Sequence, residues 1–314
     1  MDLSVRLPRG LTLKNPIIAA SGTFGFGPEY ARFVQVNRLG GISVKGISPE
    51  PWRGNPPPRV WETPSGLLNS IGLQNPGLTT FLEEDAPFLR TLDTVVIANI
   101  IGHTVEEYRT VAAGLQNEPA IHAFEVNISC PNIKAGGITF GHDPDAAYHV
   151  MRAVRSVTDK PVMVKVSPNM ADPWTVAEAV VEGGADMISA INTVIGLAID
   201  LKRRRPALGG TTGGLSGPAI KPIALRVVWE IAQRVSVPVI GMGGIQSAED
   251  VLEFLMAGAR AVMVGTITFQ FPQRMEEIID RLPLVLAHYG FRSLEEAVGA
   301  AWTSRTADGA EGGE

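Results

Sequence analysis

The chain has 314 residues, of which 45% are hydrophobic and 19% charged, a composition typical of a folded globular protein rather than a disordered one. Its 27 basic and 32 acidic residues give a formal charge of -5 with one short basic run at residues 202–205, which argues against nucleic acid and anionic membranes as partners. No apolar segment approaches the roughly 20 residues of a transmembrane helix and the first residues lack a signal-peptide pattern, so we expect a cytoplasmic protein.

The first element along the chain is a predicted β-hairpin. Two short apolar runs, residues 3–7 and 11–13, flank Pro8, Arg9 and Gly10. Proline and glycine between two apolar runs are typical of a tight turn. We expect this hairpin to cap the N-terminal end, or bottom, of the fold that follows.

Eight short runs rich in β-branched residues come next, each separated from the following one by an amphipathic stretch or a glycine-rich loop. The runs are residues 17–21, 41–45, 95–99, 124–127, 162–166, 187–192, 239–244 and 261–266. Continuous apolar runs of this kind are typical of strands buried on both faces of a parallel sheet. Eight strand–helix repeats predict the α/β class and a closed (β/α)8 TIM barrel, because an open doubly wound sheet usually has fewer strands.

The segments between the runs predict helices and one long loop. Amphipathic stretches predict helices over residues 104–115, 143–158, 172–182, 218–235 and 247–256, with Thr104, Asp172 and Ser247 as N-caps. Residues 47–76 are rich in proline and glycine without a helical period, which predicts a long ordered loop over the C-terminal mouth of the barrel. We expect a single domain over residues 1–305 and a frayed acidic tail over 306–314.

Polar residues or glycines end the predicted strands with unusual regularity. One asparagine at such a place is more often a capping or turn residue. Three asparagines and two lysines at one mouth, however, are costly to bury without a polar ligand, so we predict a ligand rich in hydrogen-bonding groups. The residues are Ser21, Lys45, Asn99, Asn127, Lys165, Asn192, Gly243, Gly244, Gly265 and Thr266.

Two of these features leave alternatives open. The glycines that end the last two strands can let backbone N–H groups approach a phosphate, or can serve close strand–helix packing. Lys165, flanked by valines, can form a Schiff base as in barrel aldolases or stay protonated and stabilise negative charge on a cofactor.

Cys130, the single cysteine, follows the fourth predicted strand. A lone cysteine is more often a small buried hydrophobic residue, but here Pro131 ends the strand and a glycine-rich segment resembling a mobile lid follows. A thiol in this place can act as a nucleophile or as a base, and neither His122 nor His142 is clearly in reach as the partner that a nucleophile needs. One cysteine also excludes an internal disulfide and a cysteine-ligated iron–sulfur cluster within this chain, and the histidines show no metal-ligand spacing.

Three long motifs resemble those of class 1 dihydroorotate dehydrogenases, and the resemblance spans almost the whole chain. They are residues 69–77, reading NSIGLQNPG, residues 127–132, reading NISCPN, and residues 213–218, reading GGLSGP. The resemblance implies one FMN per chain in the barrel mouth and oxidation of (S)-dihydroorotate to orotate in de novo pyrimidine (UMP) biosynthesis.

Site residues are carried over from the family position by position. The resemblance implies that FMN is contacted by Ser21, Lys45, Gly46, Asn99, Asn127, Lys165, Ile191, Gly217, Gly243, Gly244, Gly265 and Thr266. It implies that orotate is held by Lys45, Asn69, Ser70, Ile71, Gly72, Leu73, Asn127, Asn192 and Thr193. Amides suit a planar ring with paired donors and acceptors, and lysine suits a carboxylate or an anionic flavin.

The resemblance also implies the catalytic roles. Cys130 is the base that removes the proton from C5 of the substrate while hydride leaves C6 for flavin N5. Lys165 stabilises the negative charge of the reduced flavin, which argues against the Schiff base. Gly46 departs from the family, which usually has serine or threonine there, so a side-chain hydroxyl contact is lost.

The lid and the loop over residues 71–76 look like those of the NAD-linked class 1B catalytic subunit. That subunit forms a homodimer core and a heterotetramer with a partner that carries FAD and a [2Fe-2S] cluster and reduces NAD. The alternatives are a self-contained, fumarate-reducing class 1A enzyme, a Lys165 Schiff-base aldolase, and a barrel that binds ligand without catalysis.

Overall fold

The computed structural model describes residues 1–128 and 140–305, and in them eight parallel strands close into a barrel. Each strand pairs with the next one along the chain and the eighth pairs with the first, which confirms the predicted (β/α)8 fold. The barrel strands, first to eighth, are Ile17–Ala19, Gly41–Ser43, Val95–Ile100, Ala123–Asn127, Val162–Val166, Met187–Ala190, Val239–Met242 and Ala259–Val264.

Helices surround the barrel. The α-helices are Ser21–Phe24, Leu78–Thr80, Ala86–Leu89, Val105–Leu115, Pro144–Arg155, Pro173–Glu182, Lys221–Ala232, Ala248–Met256, Arg274–His288 and Leu294–Ala297. A π-helix spans Phe81–Asp85, and 3-10 turns span Pro8–Gly10, Val36–Arg38, Phe140–His142, Pro218–Ile220, Thr266–Phe269 and Ala300–Arg305. None of the helices in the described ranges is long and apolar enough to cross a membrane.

Two of the three predicted N-caps make their hydrogen bond. The Thr104 hydroxyl accepts from the Glu107 amide at 3.2 Å, and Ser247 forms a reciprocal capping box with Asp250. Asp172 occupies the N-cap position, but its side chain makes no cap bond. The reason is its backbone, since a ψ of 75° turns it away from the extended conformation that the other two caps adopt.

The N-terminal hairpin closes the bottom of the barrel. Val5–Arg6 pairs antiparallel with Thr12–Leu13, as predicted. From the turn between them, Arg9 Nε donates to Asp186 Oδ1 at 2.8 Å, and Asp186 immediately precedes the sixth barrel strand. Arg155 donates to the other oxygen of the same carboxylate at 2.5 Å, so one aspartate ties the hairpin and a helix to the N-terminal ends of the strands.

The segment over residues 47–76, predicted as a long ordered loop, contains two β-strands, and the prediction was wrong in this respect. It contributes Val60–Thr63 and Gly66–Asn69 to a four-stranded antiparallel sheet completed by Gly213–Ser216 and Val194–Gly196. These strands are short and their pairing is long-range, with Asn69 opposite Gly214, so no local period reveals them. Two further short strands, Ile199–Asp200 and Arg205–Pro206, form a hairpin beside this sheet.

The barrel core is fully apolar except at its mouth and centre. Strand residues such as Ile17, Val96, Phe124 and Val164 are completely buried between the strands and the helices. The single domain over residues 1–305 stays a prediction, and the predicted tail over residues 306–314 lies outside the described residues.

Candidate active site

A cavity of about 610 Å³ opens where the barrel strands end. Its size falls in the range of small-molecule sites. All the predicted cofactor and substrate residues line it: Ser21, Lys45, Gly46, Asn69, Ser70, Ile71, Gly72, Leu73, Asn99, Asn127, Lys165, Ile191, Asn192, Thr193, Gly217, Gly243, Gly244, Gly265 and Thr266. The structure therefore brings them to one place, while their individual binding roles stay predictions. Cys130, the predicted base, lies outside the described residues.

Lys165 is the most informative side chain of the cavity. It lies in the fifth strand beside Asn127 of the fourth and is only 6% exposed. Within the described ranges, no hydrogen bond or ion pair includes its ammonium group, which faces the cavity. Because the ammonium group borders the cavity at the end of an otherwise buried side chain, this position suits an anionic or strongly hydrogen-bonding ligand.

Lys45 supplies the second positive charge of the lining. Its side chain is half-buried just after the second strand. Burial lowers the pKa of Lys45, Arg59 nearby lowers it further, and Glu29 opposes both effects. The two lysines make this part of the cavity attractive to negatively charged groups.

Glu125 lies at the centre of the barrel and is completely buried. Its carboxylate accepts hydrogen bonds from the Ser43 hydroxyl at 2.9 Å, the Asn99 amide at 2.6 Å and the Ser189 hydroxyl at 2.9 Å. It lies two residues before Asn127 on the same strand, so both side chains point into the barrel. The sequence reasoning missed Glu125, although a charged residue inside an apolar strand was the available signal.

Adjacent glycines shape the cavity wall after the seventh strand. Gly243 and Gly244 have φ angles of 127° and 78°, a region that residues with a side chain rarely adopt. A Cβ on Gly244 would lie 2.9 Å from the Gly217 carbonyl oxygen, so no side chain fits between these backbones. The glycines therefore serve close packing, and because both also line the cavity their backbone stays accessible to a ligand such as a phosphate group.

The predicted substrate residues are held by the sheet over the mouth. Asn69 Nδ2 donates to the Gly214 carbonyl at 3.1 Å, and the Ser70 hydroxyl accepts from Asn55 Nδ2 at 2.9 Å. Just after the sixth strand, the Asn192 side-chain oxygen accepts from the Thr193 amide at 2.7 Å. The loop and the sixth strand end are thus fixed before any ligand binds, which reduces the entropy lost on binding.

At Gly46, the side chain that the family usually has would fit only if its neighbours shifted by a few tenths of an ångström. A Cβ there would lie 3.1 Å from Ile101 Cγ2 and 3.2 Å from Asn99 Oδ1. Gly46→Ser is expected to lower the free energy of unfolding by about 1–3 kcal/mol because the core would be overpacked. Urea unfolding measures this, and the penalty should shrink when Ile101→Ala is also present. An equal penalty in both backgrounds would contradict the steric explanation.

Asp85 is expected to make the stability of the folded chain depend on pH. Burial, together with the negative charges of Glu29 and Glu84, raises its pKa from 3.8 to about 6. Because the pKa is higher in the folded state, Asp85 favours folding in acid, and this contribution is lost as pH rises through about 6. Asp85→Asn is therefore expected to raise the melting temperature at pH 7.5 and to match the original chain near pH 4. Glu83→Gln, at an exposed neighbour, is the control.

Several other lining residues were not predicted. Gln246, Ile267 and Phe269 line the cavity beyond the seventh and eighth strands, and Val60 and Ile195 reach it from the mouth sheet. Their positions in the lining depend on the long-range sheet and on turns after the strands, neither of which has a local sequence signature. In the described residues, no group of three or more histidine, cysteine or carboxylate side chains is arranged to hold a metal.

Comparisons with known proteins agree with the geometry. The family model for dihydroorotate dehydrogenase matches residues 3–286. The chain is 54% identical over 300 residues to the "Dihydroorotate dehydrogenase B (NAD(+)), catalytic subunit" of Geobacillus kaustophilus (strain HTA426), covering 96% of each chain. It is 52% identical over 302 residues to the protein of the same name from Geotalea uraniireducens (strain Rf4), covering 96% of this chain and 99% of that one.

A solved structure gives the same result for the fold. DHODH from Eimeria tenella, in complex with ferulenol, aligns with a TM-score of 0.78 at 23% identity and covers 96% of this chain and 89% of its own. At this level of identity, the likeness supports the barrel and nothing finer.

Proposed function

Because the chain belongs to the dihydroorotate dehydrogenase family, we propose that it oxidises (S)-dihydroorotate to orotate in pyrimidine biosynthesis, with FMN as its cofactor. The observation that carries the proposal is Lys165, an almost fully buried ammonium facing a cavity of about 610 Å³. Dihydroorotate dehydrogenases are flavin-dependent, and the group proposed here is FMN, at one per chain.

The residues of the cavity fit FMN by their chemistry. The backbone at Gly243, Gly244 and Gly265 suits the phosphate, and the amides of Asn99 and Asn127 suit the polar edges of a flat ring. Bound FMN supplies a two-electron acceptor for the hydride of the substrate. Lys165 stabilises negative charge beside the ring, in the water-poor interior of the barrel where such charge stabilisation is strongest.

The substrate is proposed to lie under the mouth sheet. Lys45 suits its carboxylate, while Asn69, Asn127 and Asn192 offer the paired donors and acceptors that a pyrimidine ring requires. Cys130, three residues after Asn127 in the sequence, takes the proton from C5. Asn69 ends a strand of the mouth sheet and donates to the Gly214 carbonyl, so the ring can be fixed relative to the base before reaction.

Electrons are proposed to leave through a partner subunit. The relatives at 52–54% identity are named catalytic subunits of an NAD(+)-linked enzyme, and such a name implies a second subunit. We propose a homodimer core that assembles into a heterotetramer with a partner carrying FAD and a [2Fe-2S] cluster. The single cysteine of this chain agrees with a cluster held elsewhere. The cytoplasmic location stays a prediction.

An acceptor assay tests the subclass. The chain purified alone should retain FMN and turn over poorly with either fumarate or NAD, and co-expression with the iron–sulfur FAD subunit should restore NAD reduction. Rapid turnover with fumarate by the chain alone would instead indicate the self-contained subclass. A colourless protein that borohydride links to a carbonyl substrate at Lys165 would overturn the flavin proposal in favour of an aldolase.

A further inference from the structure

Glu125 connects its own strand, the fourth, to three other barrel strands. One carboxylate oxygen accepts from both Ser43 in the second strand and Asn99 in the third, and the other oxygen accepts from Ser189 in the sixth. The carboxylate is completely buried. Of its three hydrogen-bond donors, Asn99 is the one that also lines the cavity.

The contact with Glu125 determines which way the Asn99 amide faces. A carboxylate oxygen accepts hydrogen bonds, so the group at 2.6 Å from it must be the Asn99 NH2. The amide oxygen then points elsewhere, and it lies 3.2 Å from the position that a Cβ on Gly46, another cavity-lining residue, would occupy.

We propose that Glu125 is a positioning residue that holds Asn99 with its carbonyl oxygen toward the cavity, so that this wall accepts a hydrogen bond from an N–H group of the bound cofactor. The proposal rests on the proposed function, because it takes the ligand of this wall to be FMN. If Glu125 only connected strands, FMN binding would not depend on the orientation of the Asn99 amide.

An exchange of donor and acceptor between the two residues tests this role. In Asn99→Asp, two carboxylates would face each other at the present 2.6 Å contact, which is strongly unfavourable in a buried site. In Glu125→Gln, the new amide oxygen can still accept from Asn99 while its NH2 donates to Ser189. The double variant combines Asn99→Asp with Glu125→Gln. Its amide NH2 at position 125 donates to the carboxylate at position 99, and its net charge equals that of the original chain. An oxygen of residue 99 still faces the cavity.

The readouts are the FMN dissociation constant, from fluorescence quenching, and the visible spectrum of bound flavin. We expect Asn99→Asp to weaken FMN binding by about tenfold or more, and Glu125→Gln by less than about threefold. The double variant should return to within about threefold of the original chain, with its flavin spectrum restored. Ser189→Ala, which removes a bond to the oxygen that does not contact Asn99, is the matched control and should change affinity by less than about threefold.

The possible failures are distinguishable. If the original chain binds no FMN, the proposed function is wrong. If it binds FMN but the double variant is no better than Asn99→Asp, or if Glu125→Gln alone loses as much affinity as Asn99→Asp, the positioning role of Glu125 is overturned. Since the decisive comparison is a rescue, poor folding of Asn99→Asp alone does not prevent the test.

Discussion

Replacing Cys130 with alanine is expected to slow the reduction of bound flavin by dihydroorotate by about 10² to 10⁴-fold, the usual contribution of a general base. FMN content and orotate affinity should stay within about threefold, because the other residues proposed to bind the two ligands all line the cavity independently of Cys130. Anaerobic stopped-flow measurement of flavin absorbance gives the rate, and equilibrium titration gives the affinities.

The serine variant at the same position distinguishes a base from a residue that only fills space. Cys130→Ser should be slow at neutral pH and should recover as pH rises, because a hydroxyl is a poorer base than a thiolate. Unchanged reduction rates at neutral pH in both the alanine and the serine variants would remove Cys130 from the mechanism.

Lys165→Met has the second largest expected effect. Methionine has a similar length but no charge, so the change removes the buried ammonium without leaving a large void. A hydrogen bond to a charged group contributes about 1.5–3 kcal/mol, so FMN affinity should fall by about 10 to 150-fold. The reduction potential of the flavin should fall as well, because negative charge on the reduced ring loses its counter-charge.

Lys202→Met is the matched control for this variant. Lys202 is exposed and does not line the cavity, so affinity and potential should be unchanged. Retention of FMN affinity and potential in Lys165→Met would show that this ammonium does not contact the cofactor.

Much of the barrel could be predicted from local sequence because each strand is a continuous apolar run ended by a polar residue. Asn99, Lys165 and Asn192 were found in this way, since the carboxyl ends of parallel strands must meet at one mouth. Five of the strands end two residues earlier than the predicted runs, so Ser21 and Lys45 lie just beyond their strands.

What could not be predicted depends on contacts between distant residues. Glu125 is bonded to residues 26 to 82 positions away, and no local period shows that three donors surround it. The mouth sheet combines short strands from separate segments, one of which was taken for a loop. Gly46 could be recognised as a departure from the family, but its cause, the packing of Ile101, requires the fold.

The central claim is that this chain passes electrons from dihydroorotate to a flavin bound in the barrel mouth. Anaerobic titration of the FMN-loaded chain with (S)-dihydroorotate tests it most directly. The account predicts loss of the oxidised-flavin absorbance, complete at about one equivalent of substrate per FMN because both are two-electron carriers, with orotate as the product. Bound FMN that stays oxidised in excess dihydroorotate would contradict it.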